Sequence, residues 1–183
     1  MNIFRMIFLS LALSMLGIAW AGPIPETQVS TIGLSSFDLP AEQTGSFEVS
    51  FDATPLADKI DVFTGLSAKD PWRPADVAVI VRFNNIGTID ARGGDTFRAD
   101  TKLEYSANKV YRVRMVVNVA SRTYSVFVTP PGQPEVPLAK NFAFRSDQSS
   151  VKVLGKIVLA GFKGTTGMHR ISGLTVSSAS SNR

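Results

Sequence analysis

The stretch Tyr111-Arg112-Val113-Arg114-Met115-Val116-Val117-Asn118-Val119, followed by Thr123-Tyr124-Ser125-Val126-Phe127-Val128-Thr129, decides the reading of this chain. Apolar residues recur at every second position in both halves, the pleat of strands with one buried face. Pairing Ala120 with Thr123 sets Val119 opposite Tyr124, Val117 opposite Val126 and Met115 opposite Val128. A one-residue slip would oppose those residues to Ser125 and Phe127, so the hairpin is specified by its own pattern. The connecting Ser121-Arg122 lacks the Gly or Asn that a two-residue turn favours. The other face of the hairpin then carries Arg112, Arg114, Val116 and Asn118 beside Ser125, Phe127 and Thr129.

The same period runs outward from this hairpin. Phe47, Val49 and Phe51 alternate with Glu48, Ser50 and Asp52, and Val77, Val79, Val81 and Phe83 alternate with Ala78, Ile80 and Arg82. In a second hairpin, Asn85-Ile86-Gly87 forms a three-residue loop with Gly87 in the left-handed position. Phe83 then faces Ile89, Val81 faces Ala91, and Arg82 pairs with Asp90. Further strands are expected over 62–66, 88–92, 137–144, 154–162 and 171–176. Residues 53–61 read as a helical turn or a loop, and no stretch carries a capped helical stripe. The expected fold is all-β: a two-sheet antiparallel jelly-roll sandwich.

Composition narrows the chemistry. The 183 residues are 44% hydrophobic and 19% charged, enough for one core. With no cysteine there is no disulfide, thiolate metal site or thiol nucleophile, and a single histidine excludes a His-rich metal site. The net charge of +4 is not gathered into a Lys/Arg block, so no nucleic-acid partner is expected. Arg5, an apolar run over 6–18 and Ala19-Trp20-Ala21 read as a signal peptide over 1–21. The run is shorter than the ~20 residues of a membrane span. The expected organisation is a lead-in over 22–44, the sandwich over 45–176 and a polar, frayed tail over 177–183. The expected location is secreted, periplasmic or cell-envelope, with no membrane span once the leader is removed.

Ligand candidates follow from side-chain type. Arg112, Arg114, Asn118 and Phe127 give one face forked donors, an amide and a ring, which suits a sugar, and arginine favours acidic glycans. Trp72, between Pro71 and Pro74, is either a lid on the core or a stacking platform; Arg92 and Arg98 lie near a flexible turn. Asp58, Asp61, Asp95 and Asp100 are oxygen donors for calcium, but their spacing matches no calcium loop. No other cofactor is expected. Glu48 and Asp52 read as soluble acids on a peripheral strand, and His169 as a solvated loop residue. No nucleophile elbow, phosphate loop or zinc-protease motif occurs.

The stretch from Asp76-Val77-Ala78-Val79 through Gly87-Thr88-Ile89-Asp90-Ala91-Arg92, together with the first hairpin, resembles modules of the concanavalin A-like lectin/glucanase superfamily, LamG-like in type. The resemblance covers 45–176. It implies a jelly-roll sandwich that binds glycans, sometimes with calcium, often as an accessory module of secreted polysaccharide-degrading enzymes. The acids E-x-D-x-x-E of laminarinase-like hydrolases are missing, as are the R-x-E-x-R, Q-I-H and Y-F-K-x-G motifs of jelly-roll alginate lyases. The expectation is therefore a non-catalytic carbohydrate-binding domain for a polysaccharide, acidic ones included. A lyase or hydrolase of the same fold and an envelope adhesion protein are the alternatives.

Overall fold

The computed structural model describes residues 27–178; the expected leader and most of the tail lie outside them. Twelve strands form the domain: β1 (Thr27–Val29), β2 (Gly33–Gln43), β3 (Ser46–Pro55), β4 (Val62–Ser67), β5 (Val77–Phe83), β6 (Thr88–Gly93), β7 (Thr96–Glu104), β8 (Tyr111–Asn118), β9 (Thr123–Thr129), β10 (Val136–Ala143), β11 (Leu154–Gly161) and β12 (His169–Ser178). The first sheet has the order β1-β12-β3-β8-β9-β10 and the second β2-β11-β4-β5-β6-β7. Every strand pairing is antiparallel. The architecture is the two-sheet jelly-roll sandwich. Among the described residues no helix is long and apolar enough to cross a membrane.

The core is the expected set of alternate residues. Phe47, Val49 and Phe51 of β3, Val113, Met115 and Val117 of β8, and Tyr124, Val126 and Val128 of β9 face Val79, Val81 and Phe83 of β5, with Ile157 and Leu159 of β11. The β5–β6 hairpin has the expected register, with Gly87 at φ +87°.

The β8–β9 hairpin does not. Val117 opposes Tyr124, Met115 opposes Val126 and Val113 opposes Val128, two residues away from the expected pairing. The shift is even, so the inward and outward sets are unchanged. Its cause is the turn. Asn118 Oδ1 accepts the Ser121 N–H at 3.0 Å, which starts the reversal at Asn118. Arg122 then takes φ +55°, closing a four-residue loop without glycine.

Three further expectations change. Residues 27–43, read as part of a lead-in, form β1 and β2. Pro40 and the polar run of β2 hide its strand character, and its place at the sheet edge tolerates the proline. Trp72 is no lid, since it is 92% exposed. His169 is not solvated: fully buried, it sits 2.8 Å from Thr64 Oγ1 and 2.9 Å from Ser30 Oγ. Burial without a charged partner lowers its pKa to about 3, so the ring stays neutral.

Candidate functional site

On the outer face of the first sheet, the register places Arg114 directly opposite Phe127, and Arg112 opposite Thr129. The Arg114 guanidinium lies 4.1 Å from the Phe127 ring centroid. It also forks onto Glu135, with Nε to Oε2 at 3.0 Å and Nη2 to Oε1 at 2.7 Å. A further bond reaches Glu48 at 3.2 Å. These carboxylates hold the guanidinium pKa above its usual range, Glu135 first. Arg112 donates to Asp52 at 3.3 Å and to the Gly173 carbonyl at 3.3 Å.

Thus β3 is an inner strand between β12 and β8, and Glu48 and Asp52 are ion-pair partners of the two arginines, not solvated acids of a peripheral strand. Arg112, Arg114, Asn118 and Phe127 do share one face, but Asn118 Oδ1 is engaged in the turn. The sequence carried no clear signal for Glu135, which precedes β10 in a Pro-rich loop.

The outer face of the second sheet is built differently. Strands β4, β5 and β11 are buried on both sides. A second apolar cluster of Phe63, Val77, Ile80, Val158 and Ala160 lies there, with Leu34, Phe97 and Phe162 packed against it. Phe63 and Phe162 lie 5.5 Å apart. The signal was present as continuous apolar runs, Val77–Val81 and Ile157–Ala160, where alternation would be expected of a half-solvated strand. Gly65 opposes Ile80 in this layer, and a Cβ there would come within 2.5 Å of Val77 Cγ1 and the Val79 carbonyl oxygen.

Beside this layer opens a cleft of about 400 Å³, lined by Ile32, Leu34, Phe63, Trp72, Phe162 and Lys163 among others. Trp72 belongs to the loop between β4 and β5. Asp76 Oδ2 accepts the backbone N–H of Trp72 at 3.0 Å and of Arg73 at 3.2 Å. The Trp72 N–H contributes most to lowering the Asp76 pKa. With Pro71 and Pro74 on either side, the loop presents the indole on a restrained backbone.

Across the same face, Arg82 of β5 opposes Phe63 of β4 and Asp90 of β6. Its guanidinium donates to both Asp90 oxygens, at 2.9 and 2.7 Å, and lies 3.7 Å from the Phe97 centroid. Arg92, paired with Phe97 in the β6–β7 register, is 5.0 Å from the same centroid. Arg98 turns elsewhere: its guanidinium covers Phe142 of β10 at 3.6 Å and meets Asp100 at 3.6 Å, where the edge strands β7 and β10 of the two sheets meet.

The calcium candidates are dispersed. Asp58 accepts the Ala107 N–H at 2.7 Å, Asp61 lies 3.5 Å from Arg82, and Asp100 accepts the Lys140 N–H at 2.7 Å. Asp95 is an exposed residue of the turn before β7. Among the described residues, no group of three or more His, Cys, Asp or Glu is arranged to hold a metal ion.

The fold is that of the concanavalin A-like lectins and glucanases. Lectin I-B4 from Griffonia simplicifolia superposes with a TM-score of 0.54 at 9% identity, over 86% of this chain and 95% of its own. A sialidase gives a TM-score of 0.57 at 17% identity, over 84% of this chain and 15% of its own. No protein-family model matches the chain. In sequence, a gellan lyase from Bacillus sp. is 34% identical over 113 residues, 60% of this chain. That match spans 4% of the lyase, so this chain corresponds to a small fraction of it.

Proposed function

We propose that this chain is a lectin-like domain that binds a polysaccharide on the outer face of its second sheet and does not itself cleave it. The observation that carries the reading is Trp72: an indole 92% exposed, on a restrained loop, at the rim of an apolar cleft. A ring so exposed gains nothing from burial on folding and is left available to a ligand, and a pyranose, with one apolar face and a rim of hydroxyls, is a ligand that covers it. The gellan lyase likeness supports a polysaccharide ligand, and its 4% share of that protein supports an accessory module.

The first-sheet face fits this role less well. The Arg114 fork is occupied by Glu135 and its guanidinium lies over Phe127, so neither is free for a sugar without breaking those contacts. For cleavage, Glu48 and Asp52 each carry an arginine within about the same distance, 3.2 and 3.3 Å. The leader expected over 1–21 supports a secreted, periplasmic or envelope location.

The test is a panel of neutral and acidic polysaccharides offered to the purified chain and to Trp72→Ala. The expected result is binding to at least one polymer, reduced about tenfold or more in the variant. Unchanged affinity in Trp72→Ala removes the cleft from the site. Release of reducing ends or of unsaturated, ultraviolet-absorbing product overturns the non-catalytic role.

A further inference from the structure

Resting on that reading, we infer that the polysaccharide is acidic and that Arg92 is the residue that recognises its carboxylate. On the outer face of the second sheet the guanidinium groups are unequally paired. Arg82 has Asp90 at 2.7 Å and Asp61 at 3.5 Å, and Arg145 has Asp147 at 2.9 Å. Arg92 is half-buried between them, and among the described residues no carboxylate lies within ion-pair distance of it. Its Nε donates to the Gly94 carbonyl at 3.0 Å. That bond uses the side of the fork and leaves the two terminal nitrogens, the end that meets a carboxylate with two parallel hydrogen bonds.

The surroundings favour an incoming anion. Burial lowers the Arg92 pKa most, followed by the charge of Arg145; Asp95 and Asp147 oppose this without reaching ion-pair distance, and Arg82 adds the smallest effect. A partly desolvated guanidinium without an ion-pair partner gains from a carboxylate what its neighbours Arg82 and Arg145 already gain from theirs. The site is also prepared. The Phe97 ring supports the guanidinium, and the Arg92 carbonyl is held 2.6 Å from the buried Tyr124 hydroxyl, which reaches over from the first sheet. Backbone and side chain are both positioned before any ligand arrives.

The position fits a chain-like ligand. Arg92 lies on β6 and the cleft residue Phe63 on β4, with only β5 between them. At ~4.8 Å per strand this is ~10 Å across the sheet. A polymer stacked at Trp72 and crossing the strands would bring successive sugars over the layer that buries Phe63 and on to Arg92. Lys163, an exposed residue lining the cleft, supplies a second cation there.

The experiment measures affinity for polygalacturonate and for a neutral β-glucan in the wild type, Arg92→Gln, Arg92→Lys and Trp72→Ala. The wild type is expected to prefer the polyuronate, with affinity falling as salt rises. Arg92→Gln is expected to lower the polyuronate-over-neutral preference about tenfold, and Arg92→Lys to restore it in part, since charge returns without the fork. Trp72→Ala is expected to lower both affinities together. A wild type without preference, or a preference untouched by Arg92→Gln, overturns the carboxylate site and leaves the polysaccharide reading standing. Binding to neither polymer overturns the carboxylate site, and binding to no polymer of the wider panel overturns both.

Discussion

The Arg114 guanidinium lies 4.1 Å from the centroid of Phe127, its direct cross-strand partner between β8 and β9. In the register that the valine pattern favours at first sight, Arg114 would face Thr129 instead. The four-residue turn at Asn118 makes the difference, and with it the outward face becomes an ion-paired ladder: Glu48 of β3, Arg114 of β8, and Glu135 just before β10. This stitches together strands distant in sequence.

Arg114→Ala should therefore cost stability. Two ion pairs and one cation–π contact are lost together, each worth ~0–1 kcal/mol at partly exposed positions. The expected destabilisation is about 1–2 kcal/mol by urea unfolding, with Arg114→Lys intermediate. Polysaccharide affinity should stay within error, which separates this face from the cleft.

Removing the Tyr124 hydroxyl probes the tie between sheets. It lies 2.6 Å from the Arg92 carbonyl of β6 and 3.1 Å from the Ile80 carbonyl of β5. Burial raises the phenol pKa far above its usual value, so it remains a neutral donor. Tyr124→Phe keeps the packing and leaves buried carbonyls without that donor. The expected loss is about 1–2 kcal/mol, read from the denaturation midpoint.

Gly65→Ala tests how closely the second sheet is packed on its outer side. The added methyl would meet Val77 Cγ1 and the Val79 carbonyl oxygen at 2.5 Å, and the backbone oxygen cannot rotate away. Overpacking of this kind costs ~1–3 kcal/mol, with a lowered melting temperature as the readout. A neutral outcome would mean that β4 and β5 slide apart without penalty.

His169 predicts a pH dependence. Its folded pKa of about 3 lies below the unfolded value of 6.5. Between these values the unfolded chain binds the additional proton, so stability rises with pH there. The contribution is full above pH 6.5 and is lost as pH falls toward 3. The slope due to this residue approaches 1.4 kcal/mol per pH unit within that window. Subtracting the urea-unfolding profile of His169→Gln from the wild type between pH 4 and 7 isolates it. Parallel profiles would show that the folded and unfolded rings bind protons equally, which would overturn the lowered pKa.

Much of the fold was legible in the chain, and for a local reason. Side chains on a strand alternate sides whatever the strand pairs with, so β3, β5, β8 and β9 declared their inward residues directly. The even register slip of β8–β9 changed none of them. Strands β2 and β7 were less legible because their buried positions are few: Pro40 interrupts one, and the other reads TFRADTKLE with only Ala99 and Leu103 packed on the main core.

The site divided along the same line. Sequence alone assigned Arg112, Arg114 and Phe127 to one wet face and paired Arg82 with Asp90, because those relations need only alternation and a short hairpin. Tertiary structure decided which guanidinium has a carboxylate: Glu48 reaches Arg114 across 66 residues of chain, Glu135 across 21, and among the described residues Arg92 is left without one. It also brought Phe162 onto Phe63 and opened the cleft beside Trp72. Those neighbours are set by the order of strands within a sheet, which depends on how the whole core is best buried and is written in no single segment.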